Sequence, residues 1–320
     1  MKQKTVGVTG ATGNIGKFLV RELLSQGYRV RILTRQDNYR MSQTQVFKGD
    51  IGDTEKVRKF IEGCAIVFHL AVYQNIFDNS PERFFRVNVG ATEELMKLMV
   101  NKNTRLVLVS TAAIFKDRGD ESVMEDSERI EEDGNNWYEQ SKLKQYRSWM
   151  ACKKKINSVV VYPTIVIDSA QFYRVTLGRG MAEVVKRWCG GAIPGGIMLS
   201  IGDQNRTVNF VEVRDVARGL ILAAEKGQCG EDYILGGFNI EARDYRERAY
   251  MMTGLKKPLN WLVSMAYSCL KPFGQMGGKL NFIKNIEAAS RKNMKFKIEK
   301  SRTQLGYKPE WAINPIFDRM

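Results

Sequence analysis

Apolar residues in the first half of the chain form short, nearly continuous runs that alternate with segments of helical spacing. A continuous apolar run is typical of a strand that is buried on both faces. Six such runs predict strands, at residues 6–9, 30–34, 46–47, 65–70, 105–110 and 159–162. Between the first two, Ile15, Leu19 and Leu23 line one side of a predicted helix that ends at Gly27, and residues 82–101 predict another helix.

This order of elements predicts an α/β fold with a Rossmann-type, doubly wound parallel sheet, because helical crossovers between parallel strands cover both faces of the sheet. The alternation weakens after about residue 165, although residues 213–226 keep a helical pattern. We therefore expect a sheet domain over residues 1–165 and a smaller, mixed substrate lobe over residues 166–320. Some segments of the lobe are expected to return to the sheet.

A glycine-rich loop, TGATGNIG at residues 9–16, lies between the first predicted strand and the first predicted helix. Gly10, Gly13 and Gly16 allow a tight turn that brings backbone N–H groups close to a pyrophosphate, and the helix N-terminus adds partial positive charge. The spacing is G-x-x-G-x-x-G rather than G-x-G-x-x-G, and glycine patterns alone also occur in ordinary turns. In this strand–turn–helix context the loop predicts a dinucleotide site.

The end of the second predicted strand bears on which dinucleotide binds. An acidic residue about 20 positions beyond the glycines would bind a ribose 2′-hydroxyl and favour NAD, whereas an arginine pairs with the 2′-phosphate of NADP. Here Arg35 ends the strand and Asp37 follows two residues later. We expect NADP from Arg35 and keep NAD as the alternative from Asp37. A third interpretation is that Arg35 is simply a solvated charge at a strand end.

Tyr138 and Lys142 lie four residues apart on a helix predicted over residues 137–150, so they share one helix face. A cation beside a phenol favours the phenolate, which predicts a lowered pKa for Tyr138 and a role as general acid or base. The spacing alone is weak evidence, because residues 267–271 repeat it. Tyr138 differs in following a strand that ends in Ser110-Thr111, and sites form at strand carboxyl ends in open α/β sheets.

The glycine loop, the Ser110-Thr111 strand end and the Tyr138-x-x-x-Lys142 pair together resemble short-chain dehydrogenases/reductases of the extended type. Further segments match this family in the same order along most of the chain, at residues 49–51, 69–71, 88–92, 208–217 and 305–309. Several independent matches in the right order are far more specific than any single one. The resemblance implies a nicotinamide cofactor that carries the hydride, while the protein supplies position and electrostatics.

The resemblance also implies roles for individual residues. Tyr138 would transfer the proton at the substrate oxygen, Lys142 would hold the nicotinamide ribose and tune Tyr138, and Thr111 would orient the substrate oxygen, with Ser110 as the competing choice. His69 would belong to the wall of the cofactor site as a packing or hydrogen-bonding residue rather than a base. The residues expected to bind the cofactor are Gly10, Thr12, Gly13, Asn14, Ile15, Gly16, Arg35, Asp50, Ile51, Leu70, Ala71, Lys142, Tyr162 and Pro163.

Two departures from the family pattern bear on the substrate. Nucleotide-sugar members usually carry an arginine where Val208 stands, and Arg206, two residues earlier on the same strand face, is the candidate substitute. Tyr162 replaces an arginine before Pro163. These changes resemble the dihydroflavonol-reductase, sterol-dehydrogenase and hopanoid-associated-epimerase branches. We expect a ketone or alcohol oxidoreductase first, a nucleotide-sugar epimerase or dehydratase second, and a non-catalytic nucleotide-binding scaffold third.

The charge of the chain is strongly positive, with 50 Lys and Arg against 35 Asp and Glu. Residues 256–302 hold eleven basic and two acidic residues, so the excess belongs mainly to the C-terminal lobe. No nucleic-acid-binding motif accompanies it, and we expect a small-molecule substrate and no nucleic acid. No apolar run is long enough to predict a transmembrane span, and peripheral membrane contact through the basic lobe stays open. We assign the apolar segment 259–267 to the pocket or core.

The residues that bind metals do not form a cluster in the sequence. His69 is the one histidine, and the five cysteines are widely spaced without a C-x-x-C pair. We therefore expect no metal site, reduced thiols and a cytoplasmic location. The nine acidic residues within 117–133 predict a solvated loop rather than a metal site. If the protein assembles, a homodimer is the expected form.

Overall fold

The computed structural model describes residues 4–75, 80–131, 136–168, 205–244, 247 and 292–310. The strands are β1 (Thr5–Thr9), β2 (Arg29–Thr34), β3 (Thr44–Lys48), β4 (Ile66–His69), β5 (Arg105–Val109), β6 (Ser158–Pro163), β7 (Ile165–Ile167), β8 (Thr207–Glu212), β9 (Asp232–Leu235) and β10 (Phe238–Glu241). The helices are α1 (Asn14–Ser25), α2 (Thr54–Ile61), α3 (Pro81–Phe85), α4 (Ala91–Met99), α5 (Trp137–Cys152) and α6 (Val213–Lys226).

Three short turns of helix complete the described elements. A π-helical turn, Arg86–Gly90, joins α3 to α4, and a second covers Ser301–Leu305. A 3₁₀ turn, Ala112–Ile114, follows β5. The single helix predicted over residues 82–101 is therefore divided, and its middle is wound more loosely.

Seven strands form one parallel sheet in the order β3-β2-β1-β4-β5-β6-β9. The chain builds outward from β1 to β3 and then crosses back to β4 on the other side of β1. This reversal is the switch point at which open α/β sheets bind ligands, outside the carboxyl ends of the strands. The predicted doubly wound Rossmann-type sheet is confirmed.

The sheet is covered by helices that come from both halves of the chain. Helices α1 and α6 pack against each other, and the Tyr28 hydroxyl after α1 donates to Glu225 of α6 over 2.7 Å. Helices α4 and α5 pack together as a second group that α2 also contacts. Strand β9 pairs with β6, so the C-terminal half does return to the sheet, as expected. The boundary at residue 165 stays a prediction.

A second, three-stranded sheet in the order β10-β8-β7 has a small core of its own. That core consists of Ile167, Val208, Phe210 and Ala242. The apolar segment 259–267, the tyrosine–lysine spacing at 267–271 and most of the basic stretch 256–302 lie outside the described residues. Within the described ranges, no helix has both the length and the apolar character to cross a bilayer.

Candidate active site

The glycine loop forms a cradle at the carboxyl end of β1. Gly10 has a φ of +71°, and a Cβ atom there would lie 2.6 Å from the carbonyl carbon of Leu70. A Cβ atom at Gly16 would overlap the Gly10 carbonyl oxygen. Both positions therefore need glycine, because the loop folds back on itself and on the segment after β4. The cradle brings the backbone of Leu70 and Ala71, two residues expected to bind the cofactor, beside the loop.

The N-terminus of α1 opens into this cradle with its polar backbone uncovered. Gly13 is the N-cap residue and provides no side chain to accept from the first-turn N–H groups, and the first turn contains no acidic residue. Gly13 and Asn14 are exposed, while Thr12 and Ile15 are half-buried. Free N–H groups and the helix dipole favour an anion at this point. The loop fits the pyrophosphate of a dinucleotide.

The carboxyl ends of β2 and β3 bring two charge pairs to the rim of the cradle. The Arg35 guanidinium is 77% exposed and lies 3.7 Å from Asp50, whose other oxygen accepts from the Gly52 amide. Asp37 forms an ion pair with Lys48 of β3. Ile51 is buried between these charges and the core. Arg35 and Asp50 therefore meet at one edge, while the Asp37 carboxylate is held by a second cation.

Tyr138 is placed by the start of α5. Asn136 caps the helix, and its side-chain oxygen accepts from the backbone N–H groups of Tyr138 and Glu139 over 3.1 and 3.3 Å. The Tyr138 phenol forms a side-chain hydrogen bond with Thr111, which follows β5. Glu139 pairs with Lys292 over 2.7 Å, and this ion pair ties α5 to the C-terminal segment. The predicted partners Tyr138 and Thr111 do meet.

Burial raises the pKa of Tyr138 to about 12, the neighbouring Glu139 charge adds to the rise, and the hydrogen bond with Thr111 opposes it. The predicted lowering of this pKa by Lys142 is therefore wrong for this structure. The physical reason is desolvation, which disfavours the phenolate, and the one opposing contribution comes from Thr111 rather than from Lys142. Tyr138 is consequently a protonated phenol at neutral pH and can act as a hydrogen-bond donor and acid.

Lys142 is buried on the sheet side of α5, with 2% of its surface exposed. Its Nζ donates to the Val109 carbonyl oxygen over 2.9 Å and to Gln145 Oε1 over 2.7 Å. Desolvation lowers the pKa of Lys142 to about 7. Both acceptors are neutral, so the ammonium has hydrogen bonds but, among the described residues, no carboxylate partner.

The two hydroxyl residues after β5 have different surroundings. Thr111 accepts from the Ala113 amide over 3.2 Å and bonds with Tyr138, so its hydroxyl faces the phenol. Ser110 Oγ is buried and finds no hydrogen-bond partner within the described part of the chain. This geometry favours Thr111 over Ser110 as the residue that works with Tyr138.

Two residues expected at the cofactor lie in the core instead of presenting their side chains to the cleft. The Tyr162 ring packs edge-on against Phe115, and its hydroxyl donates to Asp232 over 2.9 Å. Pro163 is buried at the end of β6. The side chain of Tyr162 is therefore already engaged, and its backbone at the strand end is what remains for the expected contact.

His69 is a buried hydrogen-bonding residue, as the sequence predicted. Its Nδ1 lies 2.9 Å from Thr9 Oγ1 and its Nε2 lies 3.0 Å from Thr92 Oγ1. Burial and the nearby Lys142 charge lower the pKa of His69 to about 3, so the ring is neutral. Gln145, which links Lys142 to Thr92, is a site residue that the sequence analysis missed. Its one signal was the i, i+3 spacing from Lys142.

The residues considered for gripping a sugar diphosphate belong to the second sheet. Val208 is 2% exposed and lies in the small apolar core, so it offers no polar group. Arg206, its candidate substitute, is also buried. The structure therefore does not place an exposed cation at this position of β8.

Comparison with known proteins agrees with the architecture of the site. Residues 6–236 match the family model described as the NAD dependent epimerase/dehydratase family. A protein of Synechocystis sp. with the provisional name dihydroflavonol 4-reductase is 29% identical, over 79% of this chain and 74% of that protein. The sterol-4-alpha-carboxylate 3-dehydrogenase, decarboxylating, of Dictyostelium discoideum is 24% identical, over 99% of this chain and 100% of that protein.

Solved structures share the same fold. The crystal structure of DesIV, a dTDP-glucose 4,6-dehydratase from Streptomyces venezuelae with NAD and TYD bound, superposes with a TM-score of 0.73 at 19% identity, over 98% of this chain and 95% of that one. The resemblance inferred from the motifs is confirmed. The protein belongs to the NAD dependent epimerase/dehydratase family, within the extended short-chain dehydrogenases/reductases, which are NAD(P)-dependent enzymes.

Proposed function

We propose that the protein is an NADPH-dependent reductase of a small-molecule ketone, with Tyr138 as proton donor, Thr111 as the residue that orients the carbonyl oxygen and Lys142 as the ligand of the nicotinamide ribose. The observation that carries the proposal is the contact between the Tyr138 phenol and Thr111 at the carboxyl end of β5, beside the switch point of the sheet. A bound nicotinamide would supply the hydride.

The protonation state of the site suits reduction. Hydride addition to a carbonyl carbon leaves an alkoxide oxygen, which needs one proton to become an alcohol. Tyr138 keeps its proton at neutral pH, because burial raises its pKa to about 12. Thr111 can donate to the same substrate oxygen, and a charged Lys142 favours the phenolate that remains after transfer.

The epimerase or dehydratase alternative has support from the family name and from structural neighbours, but less from the site. Loss of water from a sugar needs an acid or base in addition to the tyrosine. The two residues after Thr111 are Ala112 and Ala113, whose methyl side chains cannot act as an acid or a base. Val208 offers no charge to a diphosphate. The named reductase and dehydrogenase relatives point to the same choice.

We also propose NADP rather than NAD as the cofactor. Arg35 stands exposed at the end of β2, where a 2′-phosphate would lie, and a guanidinium can bind phosphate with two parallel hydrogen bonds. Lys48 pairs with Asp37, the residue that would otherwise favour NAD, and adds a second positive charge to the same rim. The roles of the remaining loop and strand-end residues follow the family pattern.

The substitution Tyr138→Phe tests the proposed chemistry. We expect kcat with NADPH and a reducible ketone, followed at 340 nm, to fall by about 100-fold or more, because the proton donor is lost. NADPH should still bind. Tyr146→Phe, which removes a hydroxyl from the same helix away from Thr111, is the matched control and should keep most activity.

Three outcomes separate the functional classes. Net NADPH consumption with ketones supports the reductase, and full turnover by Tyr138→Phe would refute Tyr138 as the donor. Redox-neutral conversion of a nucleotide sugar would replace the reductase by the epimerase or dehydratase. Cofactor binding without turnover of ketones or nucleotide sugars would favour the scaffold.

A further inference from the structure

A chain of buried polar side chains runs from Lys142 back to the glycine loop. Lys142 Nζ donates to Gln145 Oε1, and Gln145 Nε2 lies 2.8 Å from both Thr92 Oγ1 and the Asn88 carbonyl oxygen. Thr92 contacts His69, which in turn contacts Thr9 at the end of β1. Each residue of this hydrogen-bonded series is at most 2% exposed. It crosses from α5 through α4 and β4 to β1.

The donors and acceptors available on each side chain determine which group donates in every hydrogen bond of the series. An ammonium only donates, so Gln145 must present its oxygen to Lys142 and its NH₂ group to Thr92 and Asn88. Thr92 donates its single proton to the Asn88 carbonyl oxygen over 2.9 Å and accepts from Gln145. His69 Nε2 must then donate to Thr92, and Nδ1 must accept from Thr9.

The far end of the chain is also satisfied. Thr9 Oγ1 accepts from the Ala71 amide over 3.1 Å, so its own proton is free for His69 Nδ1. His69 is thus a neutral ring protonated at Nε2. The Gln145 amide has one orientation, because the Asn88 carbonyl oxygen can only accept and the NH₂ group must therefore face it. The π-helical turn supports this, because its Asn88 carbonyl oxygen takes both donors.

We propose that Gln145 is a positioning residue for Lys142, which holds the ammonium at the ribose side of the cleft through an amide orientation that Thr92, Asn88 and His69 fix. This inference rests on the proposed function, in which Lys142 binds the nicotinamide ribose. Gln145 does not touch the reacting atoms. It acts by supplying one of the two oxygen acceptors for the Lys142 charge.

The charge of Lys142 depends on few neighbours. Facing it are the Val109 carbonyl from β5, the neutral His69 from β4, and Gln145 from its own helix. Acidic residues on the packed helices are engaged elsewhere: Glu93 accepts from Ser148, Glu94 pairs with Lys97, and Glu139 pairs with Lys292. An acceptor for an ammonium favours the charged form and raises its pKa. Gln145 therefore helps to set the pKa of Lys142, and with it the highest pH at which the ammonium keeps its charge.

The pH dependence of two substitutions at Gln145 tests this role. In Gln145→Met the acceptor is lost at nearly constant volume, and we expect the alkaline limb of kcat to move down by about one pH unit. In Gln145→Glu a carboxylate faces the ammonium, and the limb should move up by a similar amount. The KM for the ketone should change less than kcat in both variants.

The controls separate positioning from general damage. Ser148→Ala, on the same helix, loses a contact with Glu93 instead of Lys142 and should leave the limb in place. We expect the alkaline limb of kcat to shift in opposite directions in Gln145→Met and Gln145→Glu only if Gln145 acts on the charge of Lys142. Coincident limbs in the wild type and both variants would overturn the inference.

A binding measurement keeps this test independent of turnover. The Kd for NADPH is measured by fluorescence between pH 6 and 9. It should rise at alkaline pH, and the pH at which it rises should shift in each variant in the same direction as the alkaline limb of kcat. If no ketone is reduced but the binding limb moves, the proposed function fails while the role of Gln145 stands. If neither variant at Gln145 folds, Thr92→Val decides, because it removes one contact of the amide. An unmoved limb in that variant overturns the inference.

Discussion

Lys142, His69 and Tyr138 are three ionisable residues of the candidate site. Burial shifts the pKa of each in the direction that favours its neutral form. The pKa of Lys142 falls to about 7, that of His69 falls to about 3, and that of Tyr138 rises to about 12. At neutral pH the site therefore holds a phenol, a neutral imidazole and a lysine close to its titration point. Lysine is the group whose charge responds to what binds beside it.

Arg35 is the residue that decides between the two dinucleotides in our proposal. We expect Arg35→Ser to raise the Kd for NADPH by about 10- to 100-fold, the usual worth of a charge-assisted pair with phosphate, and to change the Kd for NADH little. Titration of both nucleotides by thermal shift or fluorescence measures the ratio.

The control for Arg35 is another exposed arginine. Arg58→Ser on α2 removes the same charge from a pair with Glu55 and should leave the NADPH to NADH ratio unchanged. Tighter binding of NADH than NADPH by the wild type would reverse the assignment of the cofactor.

Single residues show where sequence reasoning succeeds and where it stops. Motif spacing brought Tyr138 and Thr111 together correctly, because strand ends and helix starts meet at one edge of the sheet. The same reasoning gave the wrong sign for the Tyr138 pKa, since spacing counts neighbours and does not measure desolvation. Gln145 carried no motif, and its part depends on contacts with β4 and α4 that are distant in sequence.

Among the elements, α1 combines a structural and a binding role at its two ends. Its start packs so tightly on the loop that a Cβ atom at Gly16 would meet backbone, whereas Gly27, just past its end, has a φ of +81° and open space around it. Glycine is needed at both positions, in the first for room and in the second for conformation.

We expect Gly16→Ala to lower the free energy of unfolding by about 1–3 kcal/mol and to weaken NADPH binding, because the loop must move to admit the methyl group. Gly27→Ala should cost about 1 kcal/mol through its left-handed backbone and leave the NADPH Kd unchanged. Urea unfolding and fluorescence titration of the two variants check this contrast. Equal NADPH affinity in Gly16→Ala would contradict the tight cradle.

The regular elements were more predictable than the irregular ones. The helix predicted at residues 213–226 has those bounds in the structure. The π-helical turn at Arg86–Gly90 was not foreseen, because apolar spacing over a few residues does not separate a looser turn from an α-helix. Within this turn the Asn88 carbonyl oxygen accepts from Gln145, a tertiary contact that apolar spacing does not reveal.

For the molecule as a whole, His69 couples stability to pH. Its pKa is about 3 in the folded protein and near 6.5 when unfolded, so below pH 6.5 the unfolded state binds one proton more than the folded state. The stabilising contribution is therefore complete above pH 6.5 and is lost as the pH falls toward 3. Between pH 6.5 and 5 the loss amounts to about 2 kcal/mol.

Urea unfolding at pH 7, 6 and 5 measures this coupling. Between pH 6 and 5 the slope belongs mainly to His69, the one histidine of the chain, because Lys142, with a folded-state pKa of about 7, changes its charge mainly above pH 6. His69→Gln, which keeps a neutral amide in place of the ring, should be less stable at pH 7 but show a flatter dependence on pH. Parallel slopes for the two proteins would contradict a neutral, buried His69.

The return of α6 and β9 to the sheet has a consequence for how the chain folds as it is made. Until residue 235 has left the ribosome, the outer edge of β6 has no neighbour and the side of α1 that packs on α6 faces water. An unpaired edge and an uncovered apolar helix are the features that promote aggregation of nascent chains. The nucleotide-binding half is therefore completed late, by a segment from the other half, and a fragment ending near residue 165 would lack the cover that its core requires.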